Sequence, residues 1–141
     1  MRFIPLILGL VLFAGCASDY PRLQGTWISN RDATVANAVE RVPGWKQATP
    51  ERLQRFADMF GHLSVTYSNG VEIADFRGEI ETAHYRVVGR GADYVIIQSD
   101  AATDKGRDIK IRFVDGDTAY WIHSPFAPSG MDERFDKVQS R

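Results

Sequence analysis

Hydrophobic and polar positions follow three different periods along the chain. Residues 3–14 form a near-continuous apolar run, residues 50–60 repeat at three- and four-residue spacing, and from His62 onward apolar and polar side chains largely alternate. The middle stretch predicts an amphipathic helix. Leu53, Phe56, Ala57 and Phe60 line one face, while Arg52, Arg55 and Asp58 take the wet side. Thr49 is placed to cap this helix, Pro50 suits its first position, Glu51 favours the positive end of its dipole, and Gly61 stops it.

The alternating part predicts an antiparallel meander. Residues 63–67 read as a strand that Ser68-Asn69-Gly70 turns into residues 71–76. A three-residue loop with Gly70 left-handed puts Leu63, Val65, Tyr67, Val71 and Ile73 on one face, whereas a two-residue Asn69-Gly70 turn scatters them. The three-residue loop is the preferred reading, because a slip of one residue sends a strand's apolar set to the wrong side. Further strands are expected at residues 80–88, 94–99, 109–114, 118–124 and 133–138. Asp115-Gly116 is a two-residue hairpin signal that places Ile109, Ile111 and Phe113 on the face of Tyr120 and Ile122, with Lys110 and Arg112 outward beside Trp121.

Upstream, Gly25-Thr26-Trp27-Ile28 opens the domain. Residues 34–39 are expected as the next strand after a turn at Asn30-Arg31-Asp32, followed by the loop Val42-Pro43-Gly44-Trp45. The expected fold class is therefore mainly β, an up-and-down meander or barrel of about eight strands with one short helix at residues 50–60. Closure would leave no strand edge exposed.

The apolar run at the start reads differently. Arg2 gives it a cationic beginning, Pro5 interrupts it, and it is shorter than the roughly 20 apolar residues that a bilayer core of about 30 Å requires. A removable export signal over residues 1–15 fits better than a membrane-spanning helix. Its end, Leu12-Phe13-Ala14-Gly15-Cys16, resembles the lipobox of bacterial lipoproteins, with Phe13 standing where an aliphatic residue is usual. The resemblance implies cleavage before Cys16, a diacylglyceryl thioether on its sulfur and an acylated new amino terminus. Two or more acyl chains hold a protein on a membrane stably. Ala17, where an Asp retains enterobacterial lipoproteins in the inner membrane, implies the outer membrane facing the periplasm in a two-membrane cell. Residues 16–24, polar and containing Pro21, read as the lipidated tether of a single domain over residues 25–141.

Gly25-Thr26-Trp27 resembles the G-x-W of lipocalins and related barrels, in which the tryptophan packs across one barrel end near a late arginine. Arg134 matches that arginine, and the resemblance implies a structural role for Gly25, Trp27 and Arg134.

Composition narrows the partners. Without residues 1–15 the chain keeps 126 residues and 16 basic against 18 acidic side chains, with no basic stripe for nucleic acid. Cys16 is the single cysteine, so the mature domain has no disulfide, thiolate metal site or cysteine nucleophile. His62, His84 and His123 stand on separate elements without a second ligand at metal spacing. Asp100, Asp104 and Asp108 around Gly106 lack the alternating ligands and closing Glu of a calcium loop. Glu79 and Glu81 share one side of a strand start beside Gly78, which sets them on a wet rim. Ser129-Gly130 lies in a Pro-rich loop without the context of a nucleophile elbow, and Gly89-Arg90-Gly91 lacks the third glycine and following helix of a dinucleotide loop. No enzyme and no cofactor or metal is expected. Trp45, Phe126 and Met131, in loops with prolines nearby, are the candidates for residues at a ligand-binding mouth.

Two function classes remain open: a membrane-anchored, non-enzymatic binding module for a small apolar or amphiphilic ligand, and a protein-interaction lipoprotein that assists envelope assembly or inhibits a partner. The anchor itself has a direct test. The protein extracted from membranes is expected to carry the mass of a diacylglyceryl group and an acyl chain on residues 16–141, and Cys16→Ser to leave the membrane fraction. An unmodified Cys16 in that material overturns the assignment.

Overall fold

A computed structural model describes residues 20–123 and 131–140. Residues 1–19, among them Cys16, and residues 124–130, among them Phe126 and Ser129-Gly130, lie outside the described residues. The chain order is β1 (Gly25–Ser29), α1 (Arg31–Arg41), α2 (Pro50–Ala57), β2 (Leu63–Ser68), β3 (Val71–Phe76), β4 (Glu79–Arg90), β5 (Tyr94–Ser99), β6 (Asp108–Val114), β7 (Ala119–His123) and β8 (Asp132–Lys137). Each strand pairs antiparallel with the next, and β8 pairs with β1, so the eight strands close into a barrel.

The expected meander is present, with two corrections. Residues 34–39 form no strand and belong to α1. Asn30 accepts a hydrogen bond from Ala33 N (2.9 Å), Asp32 lies in the first turn, and the buried Thr34 and Ala38 sit four apart on one helical face. The β-branched residues there suggested a strand, but a capped helix start and packing on β8 prevail.

The second correction concerns register. Ser68 pairs with Val71, so the connection is a two-residue turn, with Asn69 at φ 50° and Gly70 at φ 79°. Both positions are left-handed, the geometry whose twist suits a tight hairpin and which Asn-Gly adopts readily. Leu63, Val65 and Tyr67 still face the axis, but Val71 and Ile73 do not join them. Ile73 is 41 % exposed on the outer wall, and Glu72, beside Tyr67, is 7 % exposed inside. The turn after β6 also differs in length, since Val114 pairs with Ala119 and four residues intervene. Because that change is an even number of residues, Ile111 and Phe113 keep the same face as Tyr120.

Residues 20–24, at the start of the described chain, pack against the barrel: Leu23 is 0 % exposed and Tyr20 is buried against Phe113, with ring centroids 6.1 Å apart. Arg22 clamps this segment to the β6–β7 turn through a two-pronged contact with Asp117, at 3.0 and 2.6 Å.

These residues form the floor of the barrel. Above them Trp27 is fully buried and donates from Nε1 to the Leu23 carbonyl at 2.8 Å. Tyr120 packs on Trp27 at 4.7 Å and stacks on Phe135 at 5.1 Å, while Val95, Ile97 and Ile111 complete the filling. Trp27 is thus a structural plug. The cation over its ring is Lys137, at 5.1 Å, and not Arg134. Arg134 is one residue from the inward Phe135 and so faces outward, over Trp121 and between Asp115 and Asp136. Gly25 sits at φ 115°, where a Cβ would also stand 3.1 Å from Lys137 Cε.

At the opposite end α1 packs on β8, and α2 packs on α1. Phe56, Phe60, Ala38 and Met131 make a second core there, with Trp45 tilted against Phe56, ring centroids 4.2 Å apart. Among the described residues no helix is long and apolar enough to cross a membrane.

The floor segment carries the prediction. Leu23→Ala is expected to lower stability by about 2–5 kcal/mol through the cavity it leaves. Urea unfolding measures the loss, and a change below a few tenths of a kcal/mol would show that residues 20–24 do not contribute to the core.

Candidate functional site

Along the inner face of β3 the side chains descend from the rim as Phe76, Ala74 and Glu72, because alternate residues face the axis. Leu63 on β2, Ala74 on β3, Ile109 on β6 and Ile122 on β7 pack against the barrel core yet remain only half-buried. Phe76 is exposed at the rim, with the edge of His62 against it at 6.4 Å. This end of the barrel also bears the 77–78 turn, the 100–107 loop and the two helices.

Polar groups lie beneath the apolar rim. Across from Glu72 on β4 stands Ala83, whose methyl leaves room for the carboxylate to reach β5, where it accepts a hydrogen bond from Ser99 Oγ. Ser99 Oγ in turn accepts from Ala101 N at 3.0 Å, which fixes its orientation. No other hydrogen bond holds the Glu72 carboxylate among the described residues. On the far wall the buried Glu133 accepts from Ser29 Oγ at 2.6 Å, and Ser29 Oγ accepts from Gly61 N at 3.0 Å. That second bond ties the segment after α2 to the barrel.

Tyr67 and Tyr120 complete the cluster. The Tyr120 ring is 0 % exposed, and its hydroxyl, facing that of Tyr67, makes no hydrogen bond of good geometry. Burial pushes the Tyr120 hydroxyl well above its ordinary pKa, and Tyr67, Glu133 and Glu72 push it further. Burial likewise raises Tyr67, with Glu72 the next cause, so both phenols stay neutral. Burial also raises the Glu72 carboxyl. The Ser99 bond opposes this, while Asp104, Glu81 and Asp100 add to it. An orphaned hydroxyl thus lies inside the field of two buried carboxylates, and such a group is ordinarily satisfied by water or a ligand.

The other candidates are scattered. His62 bonds the Asp58 carbonyl at 3.1 Å, His84 lies 3.6 Å from Asp100, and His123 lies 3.5 Å from Asp132. Asp104 pairs with Arg107, Asp100 receives His84 N, and Asp108 receives Gln98 Nε2, so the three carboxylates serve different turns. Among the described residues no three His, Cys, Asp or Glu side chains converge as metal ligands. Glu79 and Glu81 stand exposed at the β3–β4 tip, where Glu81 holds Ala102 N at 3.1 Å. Trp45 and Met131 pack in the helical cluster, away from the inner barrel wall. A surface hollow of about 450 Å³ beside the start of α1 is lined by Ser29, Asn30, Phe60 and His62.

The inward residue that sequence reasoning missed is Glu72. Its signal was the Asn69-Gly70 dipeptide, which states the two-residue turn directly; the run of apolar residues around it argued for the other register. No protein-family model, curated protein or solved structure matches the chain.

A carboxyl whose pKa is raised on folding destabilises the fold once ionised. Its favourable contribution is full below the ordinary carboxylate value and is lost as pH rises through the folded-state value. Glu72→Gln, which keeps an acceptor for Ser99, is therefore expected to be more stable than the parent at pH 8. The difference should shrink at pH 4–5 in paired urea titrations.

Proposed function

We propose that this chain is a membrane-tethered, lipocalin-like binding module that takes a small amphiphile head-first into the barrel mouth. The observation that carries the reading is the order of surfaces from the rim inward. Half-buried apolar residues come first, Leu63, Ala74, Ile109 and Ile122, and beneath them lies the unpartnered Tyr120 hydroxyl near Glu72 and Glu133. Ligand sites combine such apolar walls with a few placed polar groups. The aromatic filling around Trp27 and Phe135 leaves the floor half to the protein's own side chains, so the guest is small and stays near the mouth.

The lipobox resemblance supports the tether. From Cys16 to Tyr20 is four residue steps, at most about 14 Å when extended. The floor would then lie close to the bilayer. The mouth, at the other end of the barrel, would face away from it, toward ligand arriving from the aqueous side.

A second reading, an interaction with another protein, draws on the outer wall. There Tyr94, Arg112, Trp121 and Arg134 pair in one continuous row across β5 to β8, alternating ring and cation. Lys110 covers Tyr94 at 4.4 Å. Such a rigid aromatic and cationic stripe has the composition of interface hot spots.

Gentle extraction from membranes followed by mass spectrometry separates the two. A co-purifying small amphiphile is expected. Ala74→Phe, which fills the mouth, should release it, whereas Ile73→Phe on the outer face of the same strand should not. A co-purifying protein with no small molecule would favour the second reading.

A further inference from the structure

We infer that the outer wall along β6 docks an acidic, extended protein segment; this rests on the second reading above, the interaction with another protein. In a closed barrel every strand is paired on both sides, so no edge is left to recruit a partner strand and recognition falls to side chains. On the outward face of β6, Lys110 and Arg112 stand two residues apart. Tyr94 on β5 and Trp121 on β7 lie directly opposite Arg112 on its two sides. Tyr94, Arg112 and Trp121 are all half-buried. Side chains held in this way on a paired sheet need little further ordering when a partner arrives.

The charges decide what kind of partner fits. Most ionic groups around the row are already matched. Arg134 binds Asp115 at 2.7 Å and Asp136 at 2.8 Å. Arg86 donates to Gln98 Oε1 at 2.7 Å, and Gln98 Nε2 donates to Asp108 at 2.7 Å, which engages the one acidic side chain of β6. Lys110 and Arg112 are left over. Lys110 lies over the Tyr94 ring at 4.4 Å, and among the described residues neither cation has a carboxylate within ion-pair distance. Two neighbouring unmatched cations between aromatic rings are complemented by two carboxylates on one partner.

Spacing selects the shape of that partner. Side chains two apart on an extended chain are separated by about 6.7 Å, and Lys110 and Arg112 have this spacing because they sit on a strand themselves. A segment with acidic residues at alternate positions, laid along β6, therefore sets one carboxylate on each cation. The flanking rings stand on strands about 10 Å apart, two strand spacings. That width matches an extended chain more closely than a helix about 10–12 Å across.

The test titrates the full mature chain with three synthetic ten-residue peptides: alternating Glu and Ala, an isomer with its five Glu consecutive, and the alternating peptide with Lys for Glu. The alternating Glu peptide is expected to bind at least fivefold more tightly than its isomer, and the Lys peptide not at all. Arg112→Glu, checked by circular dichroism to be folded, should remove at least tenfold of the affinity. Lys110→Gln and Trp121→Ala should each weaken it at least threefold, and Arg55→Glu on the exposed side of α2 should leave it unchanged. Equal binding of the isomer, or no binding of the alternating peptide, overturns the proposal. Tighter binding of dextran sulfate or of phosphatidylglycerol vesicles, with the same Arg112 dependence, overturns it in favour of an anionic glycan or a lipid surface. A protein that co-purifies from membranes equally well with Arg112→Glu and Trp121→Ala overturns this docking wall and leaves the interaction reading standing. If no protein co-purifies, the interaction reading fails and this assignment falls with it.

Discussion

In a closed barrel the number of residues in each turn decides which side chains face the axis. Side chains alternate across a strand, and closure leaves no strand free to slip without disturbing its neighbours. The Asn69–Gly70 turn is the place where this constraint matters most here. With both residues left-handed the turn has two members, so Val71 and Ile73 take the outer face while Glu72, Ala74 and Phe76 take the inner one. Ile73 goes to water and Glu72 goes inside. The β6–β7 turn shows the complementary case: its length differs from the expected two residues by an even number, and the inward set is unaltered. Parity, more than turn length itself, is what the core responds to.

The barrel is consequently polarised from end to end. At the floor Tyr20 and Leu23 close beneath Trp27, and large rings fill the axis with a hydrogen bond from the indole to the Leu23 carbonyl. Toward the other end, small side chains such as Ala74, Ala83 and Ser99 replace them, and carboxylates and phenols occupy the space so made. The two helices build their own apolar cluster against β8 instead of extending the main core. Ser29 links the two regions, bonding Glu133 on one side and the backbone at Gly61 on the other. The large apolar packing and the buried polar contacts therefore lie toward different ends of the same eight strands.

Electrostatics reinforce that division. The buried carboxyl of Glu72 is held in a negative surrounding with its pKa raised, an arrangement that costs stability at neutral pH and gains nothing from its apolar neighbours. Perturbed carboxyls of this kind cluster at functional sites and occur in structural networks as well. The outer wall behaves in the opposite way. Arg134 is balanced by Asp115 and Asp136, and its position over Trp121 belongs to an ordered surface.

The sequence by itself determined the class of fold and most of its elements. Alternation located the strands from β2 onward, and Thr49, Pro50 and Glu51 fixed the start of α2, because these are local preferences that neighbours in the chain express without help. It also marked Trp27 as a plug. It misassigned α1, since Val35 and Val39 suit a strand in isolation, and only docking on β8 with Thr34 receiving Arg134 N selects the helix. It did not place residues 20–24 in the floor, because a Tyr and a Leu in a short polar segment carry no period of their own. Glu72, Ser99, Tyr67 and Tyr120 were unrelated letters on four strands. Their meeting depends on the stagger and parity of the whole ladder, and that is a property of the closed sheet which no local segment possesses.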